Sequence, residues 1–317
     1  MNRSLLPEIE ILVLTYNRQS LIGATLESLL AQQRSACRIC VLDNGSTDDT
    51  AAVVSKFRSR GVELVRRGSN DPRACWIDLK ELARGPWTML FHDDDLLHPL
   101  YLNHAAHAIC KTSGSTVVVS GMRIYSEPEQ AGWSEVDPRR CASDTAAQLA
   151  ARLYRGFQMP FCSVIYRTDV LKRTPLCLET FGKVFDRPFV LEAARDGRAV
   201  VLLDSYVKYR SHACQDSADT STGPFLPEVL ALQRCYRLFL GESALSRGGR
   251  SFLRRNYRNL VCDFARLRQT DGMTRQQFLA TAVAEGAASR KSLRIGCAYA
   301  LLTGVPRCIE RLTRRLV

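Results

Sequence analysis

The chain has 317 residues, 46% hydrophobic and 24% charged, a globular composition that supports a large core and excludes long disorder. Its net charge of +12 is uneven: residues 1–233 hold 27 basic and 27 acidic side chains, residues 234–317 hold 17 and 5, and this asymmetry points to an anionic partner for the C-terminal part. No stretch reaches 18 uninterrupted apolar residues, and the opening segment is too short and too soon acidic for a secretory signal, so neither a spanning helix nor a leader is expected.

In chain order, "EIEILVLTYN" (8–17) is a nearly continuous apolar run, the pattern of a strand buried on both faces. Leu21, Ile22, Leu26, Leu29 and Leu30 then recur at helical spacing, with Asn17 available as a cap. "CRICVLD" (37–43) repeats the strand pattern. It ends in "NGSTDDT", where Ser46 and Asp49 have the spacing of a capping box for a helix through about Lys56. A third strand (62–67), a third helix (74–83) and a fourth strand (87–92) follow, and the last runs straight into "DDD". Beyond a helix over 98–111, strands are expected at 116–126, 161–167 and 199–210, a helix at 185–197 and a loop over 127–142. The Ser/Thr/Asp-rich stretch 215–224 reads as a boundary or loop, and from Phe225 onward the pattern is helical.

Four strand–helix alternations in about the first hundred residues predict a parallel, helix-covered sheet, in which ligands bind at the carboxyl ends of strands. Three of those ends are polar: Thr15-Tyr16-Asn17, Asp43-Asn44-Gly45-Ser46, and Asp93-Asp94-Asp95. Adjacent carboxylates repel, so the last set needs a cation, hydrogen bonds or open water. Asp-x-Asp suits a hard divalent cation, Mn2+ or Mg2+, with free positions for diphosphate oxygens. A solvated acidic turn is the competing reading.

The 12 cysteines are scattered singly apart from Cys37 and Cys40. Several sit inside apolar runs and read as small core residues, and Cys37-Arg-Ile-Cys40 has no second pair to complete a zinc set, so a reduced, cytosolic setting is expected.

The run "ILVLTYNR…LIGATLESLLAQ…ICVLDNGSTDDT…ELARGPWTMLFHDDDLLHP" resembles family 2 glycosyltransferases of the GT-A fold, over roughly residues 8–215. The resemblance implies transfer of a sugar from a nucleotide diphosphate, most often a UDP-sugar, to an acceptor hydroxyl with inversion. Position by position, Tyr16 matches the aromatic residue against the donor base, with Leu14, Thr15 and Asn17 beside it, and Asp43 matches the carboxylate that reads the base. Asp93 and Asp95 match the outer metal-binding pair, and Asp94 is expected toward the donor ribose or sugar. In "FGKVFDRPFVLEAARDG", Asp186 keeps the position of the catalytic base, although the Glu that usually precedes it is replaced by Phe185; Glu179 and Glu192 are weaker candidates. "YVKYRSHACQDS" resembles the segment in which Arg210 and Ser217 help close over the donor and His212 completes the metal site or bonds the diphosphate. The Gln-x-x-Arg-Trp of processive members is absent, so a single addition per binding event is expected.

The resulting expectation is a GT-A catalytic domain over 1–222, with nucleotide-sugar binding in about 1–112 and the acceptor part in 113–222. A basic helical region follows over 223–317. In that region Arg-flanked apolar stretches, such as Leu293 to Val305, suit a helix in a membrane interface beside anionic lipids; a solvated face on a packed domain is the alternative. A lipid-linked or oligosaccharide acceptor in bacterial surface polysaccharide synthesis, at the inner face of the cytoplasmic membrane, would use such a region. Two other functions are compatible with the sequence: transfer to polyprenyl phosphate itself, and nucleotide-sugar binding without catalysis. No nucleic-acid motif accompanies the basic tail.

Overall fold

The computed structural model describes residues 6–34, 36–125, 132–212, 226–241 and 280. Ser217 and the Leu293–Val305 stretch lie outside the described residues. The chain divides into two compact units: Met1–Leu149 with Gln158–Leu176 and Phe189–Ala213, and Ala150–Phe157 with Cys177–Pro188 and Cys214–Val317. A single cut near 222 is therefore not where the contacts divide, and Asp186 falls in the second unit.

The first unit is built on one sheet, ordered β3-β2-β1-β4-β8-β6-β9-β5, with β7 paired on β9. β1 (Ile9–Thr15), β2 (Arg38–Asp43), β3 (Val62–Arg66) and β4 (Trp87–His92) run parallel, with register Thr15↔Asp43, Asp43↔Arg66 and Leu14↔His92. Their apolar runs are continuous because both faces are covered. Ile11, Val13, Ile39 and Val41 share a core with Ile22 and Leu26 of α1 (Ile22–Leu30) and Val54 of α2 (Thr50–Ser55), while α3 (Ala74–Leu82), which buries Cys75 and Leu79, also packs on β1. The one charge inside β1, Glu10, is fully buried and accepts bonds from the Arg84 and Gly85 amides and the Thr88 hydroxyl, with Arg38 Nη1 at 3.1 Å. It ties the amino ends of β1, β2 and β4 together.

The rest of the sheet mixes directions. β8 (Ile165–Arg167) is antiparallel to β4 and to β6 (Ser115–Tyr125), whereas β9 (Arg198–Arg210) runs parallel to β6. The two-residue β5 (Leu96–Leu97) and the polar β7 (Cys141–Asp144) both pair antiparallel to β9. Among the described residues the further α-helices are α4 (Tyr101–Lys111), α5 (Ala146–Arg155), α6 (Thr168–Arg173), α7 (Leu178–Phe181), α8 (Asp186–Ala193) and α9 (Leu226–Phe239). In the second unit the Tyr154 and Tyr236 rings lie 5.0 Å apart and Gln233 Nε2 donates to Tyr154 Oη at 3.3 Å.

Two local expectations are corrected. Asn17 does not cap α1: its φ is +52°, a left-handed conformation that Asn tolerates, and its side chain accepts the Thr47 amide at 2.8 Å. Ser46 does not cap α2 either: the helix begins at Thr50 with Asp49 at its N-cap position, and Ser46 Oγ accepts the Asn17 amide at 2.9 Å. In both cases a bond between neighbouring strand ends replaces the local cap. The described cysteines are all free; Cys40 is buried in β2 and Cys37 is exposed.

Candidate active site

The chain passes from β1 to β2 and β3 on one side and then returns to β4 on the other side of β1. The crevice at the carboxyl ends of β1 and β4 is thus the switch point where such sheets bind ligands. At that point the Tyr16 amide donates to Asp93 Oδ2 at 3.1 Å, and Arg18 Nε lies 3.6 Å from Asp93 Oδ1. The Thr25 hydroxyl of α1 sits 3.0 and 2.9 Å from the carbonyls of Asp93 and Asp95, pinning the acidic turn from below.

β5 continues directly from the aspartates and pairs with the end of β9, Leu96 opposite Lys208. This short ladder explains why residues 115 positions apart meet. The Arg210 amide donates to Asp95 Oδ1 at 2.9 Å, and His212 Nε2 lies 3.0 Å from Asp94 Oδ2. The Arg210 guanidinium donates to Tyr125 Oη at 2.7 Å. The Cys162 thiol donates to Asp95 Oδ2 at 2.8 Å from the turn Phe161–Ser163.

Burial and then the charge of Asp94 push the Asp93 carboxyl up to about 6, and the same two causes raise Asp95. The carboxylates are crowded and under-compensated, a setting that a cation relieves. Ligand atoms of His92, Asp94 and Asp95 all lie within 4.8 Å of one another. An imidazole and two carboxylates fit a divalent ion, and the nitrogen donor suits Mn2+ better than Mg2+.

This convergent set is not the expected one of Asp93, Asp95 and His212. Asp93 is turned to Tyr16 and Arg18, His212 is bonded to Asp94, and His92 lies beside Asp94 and Asp95. His92 is held by rings: Phe161 at 5.8 Å and Trp76 at 6.5 Å. Of the donor-side residues, Thr15 is buried, Leu14 and Tyr16 are half-buried, and Asn17 bridges to the β2 turn. Asp43 exposes no surface: Oδ1 accepts the Ser46 amide at 2.9 Å and Oδ2 accepts Arg66 Nε at 2.8 Å. Asp186 is half-buried in the first turn of α8, and Glu192, later on that helix, is paired with Arg195. Glu179 lies in the first turn of α7.

Sequence reasoning missed His92, Thr25, Cys162, Arg18 and Arg66. His92 and Arg18 directly adjoin the motifs and were findable by position; Thr25 and Cys162 lie in apolar runs and carry no signal.

A half-sheet of parallel strands with an acidic turn at its switch point defines a protein of the α/β class. The glycosyl transferase family 2 profile matches residues 10–174, over half of the chain, and the chain belongs to that family. Among curated proteins it is 22% identical over 220 residues to Escherichia coli WfaP, a UDP-Glc:alpha-D-GlcNAc-diphosphoundecaprenol beta-1,3-glucosyltransferase, covering 67% of this chain and 80% of that one. It is 27% identical over 210 residues to the succinoglycan biosynthesis protein ExoO of Rhizobium meliloti (63% and 55%). With an uncharacterized glycosyltransferase of Mycoplasma pneumoniae it shares 30% identity over 128 residues, 38% of this chain and 42% of that relative. Among solved structures, Staphylococcus aureus TarS residues 1–349 with UDP-GlcNAc aligns at TM-score 0.63 and 18% identity, covering 97% of this chain and 92% of that one, a likeness of fold. Among the described residues no helix is long and apolar enough to cross a membrane.

Proposed function

We propose that this chain transfers one sugar from a UDP-sugar to a hydroxyl of a lipid-linked sugar acceptor, with inversion, in the building of a bacterial surface polysaccharide. The observation that carries the reading is the joining of the β1, β4 and β9 ends around Asp93–Asp95, through the Tyr16, Arg210 and His212 contacts. WfaP supports both donor and acceptor class: its name specifies UDP-Glc and a diphosphoundecaprenol-linked sugar, and the similarity extends over most of its length. That acceptor favours a sugar hydroxyl over polyprenyl phosphate.

In this reading Tyr16 lies against the base, and the Arg18 guanidinium and His212 help to hold the diphosphate. A bound divalent cation supplies charge neutralisation for the departing diphosphate, and His92, Asp94 and Asp95 are the residues that would hold it. The Asp186 carboxylate takes the proton of the acceptor hydroxyl, whose oxygen forms the new bond to the anomeric carbon as the bond to the diphosphate breaks. This role for Asp186 rests on its motif match at the start of α8. Thr25 and Cys162 keep the turn and Asp95 in place.

The test is transfer from a UDP-sugar panel to diphosphoundecaprenol-linked sugar with Mn2+. Asp95→Ala is expected to lose transfer by at least a hundred-fold and to lose metal-dependent UDP binding. Asp186→Asn is expected to keep UDP binding and lose transfer by a similar factor. Full transfer by Asp95→Ala would remove the assignment, and weakened UDP binding by Asp186→Asn would make Asp186 a structural residue.

A further inference from the structure

Asp186 opens α8 with little local support. Arg187 precedes Pro188, and a residue before a proline is disfavoured in the helical backbone it adopts here. The segment just before, Gly182–Val184, is one tight turn, entered at Gly182 with φ +47°. Support comes instead from α9, within the second unit.

α9 buries Leu232, Gln233, Cys235 and Tyr236 and exposes Arg234 and Arg237, so one side of the helix is packed. The helix lies against α7 and the Gly182–Val184 turn. Near its start Glu228 fills the space beside Gly182, where a Cβ would run into the carboxylate. Farther along, the Tyr236 ring is 5.0 Å from that of Tyr154, and Gln233 Nε2 donates to Tyr154 Oη at 3.3 Å. The Arg187 guanidinium lies beside both the Tyr236 hydroxyl and the Asp186 carboxylate. A guanidinium carries only N–H donors, in a fixed fork, so two oxygens that share it constrain each other's direction.

We propose that Tyr236 is a positioning residue for the transfer, its hydroxyl holding the Arg187 guanidinium so that the Asp186 carboxylate keeps its direction toward the acceptor hydroxyl. The proposal rests on the reading of Asp186 as the base. With the Tyr236 oxygen gone, the Arg187 donors turn to Asp186 alone, and the carboxylate is drawn onto the guanidinium and away from the acceptor proton. Misplacing a reacting group by about 1 Å costs up to about a hundred-fold in rate.

This role differs from packing in two readouts. A residue that only packs α9 changes stability, and it disturbs donor binding and transfer together. A residue that acts through Asp186 lowers kcat, leaves the donor KM alone, and has nothing to add once Asp186 is replaced.

The experiment measures steady-state transfer by the full chain from a UDP-sugar to diphosphoundecaprenol-linked sugar in Mn2+, with calorimetric UDP binding and melting temperature beside it. Tyr236→Phe keeps the ring against Tyr154 and removes only the hydroxyl. It is expected to lower kcat about ten-fold or more, with donor KM and UDP affinity within about two-fold of wild type. In an Asp186→Asn background the same change is expected to alter residual transfer by less than about two-fold. Arg187→Ala reaches the same link from the other side and is expected to show the same split, with no further loss when Tyr236→Phe is added to it. Undiminished kcat in Tyr236→Phe, or in Arg187→Ala should Tyr236→Phe not fold, overturns the proposal. So does a rise in donor KM that matches the fall in kcat, or a further ten-fold loss in the Asp186→Asn background. Full transfer by Asp186→Asn alone overturns the reading of Asp186 as the base, whatever Tyr236→Phe does.

Discussion

At the scale of single residues, the acidic turn carries opposed demands. Asp93 and Asp95 are buried where their charged forms are disfavoured, and both carboxyls are pushed up, Asp93 to about 6 against an ordinary value of 3.8. A raised folded-state value means that the folded chain binds protons more tightly than the unfolded chain between about pH 4 and pH 6. In that window stability falls as pH rises, and above it the cost stays constant. Keeping the buried Asp93 carboxylate ionised at neutral pH therefore costs roughly 3 kcal/mol. Metal-free protein should therefore gain stability from Asp93→Asn at pH 7.5 and little or none at pH 4, read as urea midpoints. An equal gain at both pH values would mean that ionisation of Asp93 is not the source. Which of these residues was legible depended on spacing. The aspartates, Tyr16 and Asp43 stand out as polar ends of apolar runs, whereas the part each plays depends on side-chain direction. Asp93 faces Tyr16 and Arg18 while Asp94 faces His212, and a run of three identical residues holds no information about that choice.

At the scale of elements, the parallel strands were readable because burial on both faces forces continuous apolar sequence, and β4 is found at the expected residues, Trp87–His92. The two-residue β5 and the polar β7 have no such signature; each exists only because β9 offers a partner. α5 went unread although its start carries a signal: Thr145 and Gln148 exchange side-chain-to-amide bonds at 2.8 and 3.2 Å, a capping box spelled Thr-x-x-Gln in the sequence. The capping box expected at Ser46 does not form, because α2 begins only at Thr50 and the Ser46 hydroxyl faces the Asn17 amide. The β2 turn itself depends on Gly45. Its φ is +80°, and a Cβ there would lie 2.5 Å from the Ser69 carbonyl carbon and 2.8 Å from the Asn70 nitrogen. Gly45→Ala should cost more than the roughly 1–2 kcal/mol of the left-handed backbone alone, since the 69–70 segment must also move. A urea midpoint equal to wild type would show that the turn has another conformation within easy reach.

At the scale of the whole molecule, charge and architecture divide the chain in different places. The basic excess lies in residues 234–317, while the second compact unit also takes in Ala150–Phe157 and Cys177–Pro188, and with them Asp186. Net charge along a sequence reports what a surface attracts and not where chain segments pack, which is why a cut near 222 followed from composition and not from contacts. The central claim is that the first unit holds a nucleotide diphosphate through a divalent cation. It is tested most directly by the melting temperature of the purified chain with UDP, GDP, dTDP or NAD, each with and without Mn2+. A ligand at about a hundred times its dissociation constant adds roughly 2.7 kcal/mol, well within reach of a thermal scan. The account predicts a clear rise with UDP that requires Mn2+, a smaller or comparable rise with dTDP, and none with NAD. A folded sample whose melting temperature moves with none of these nucleotides, with or without the metal, would contradict it.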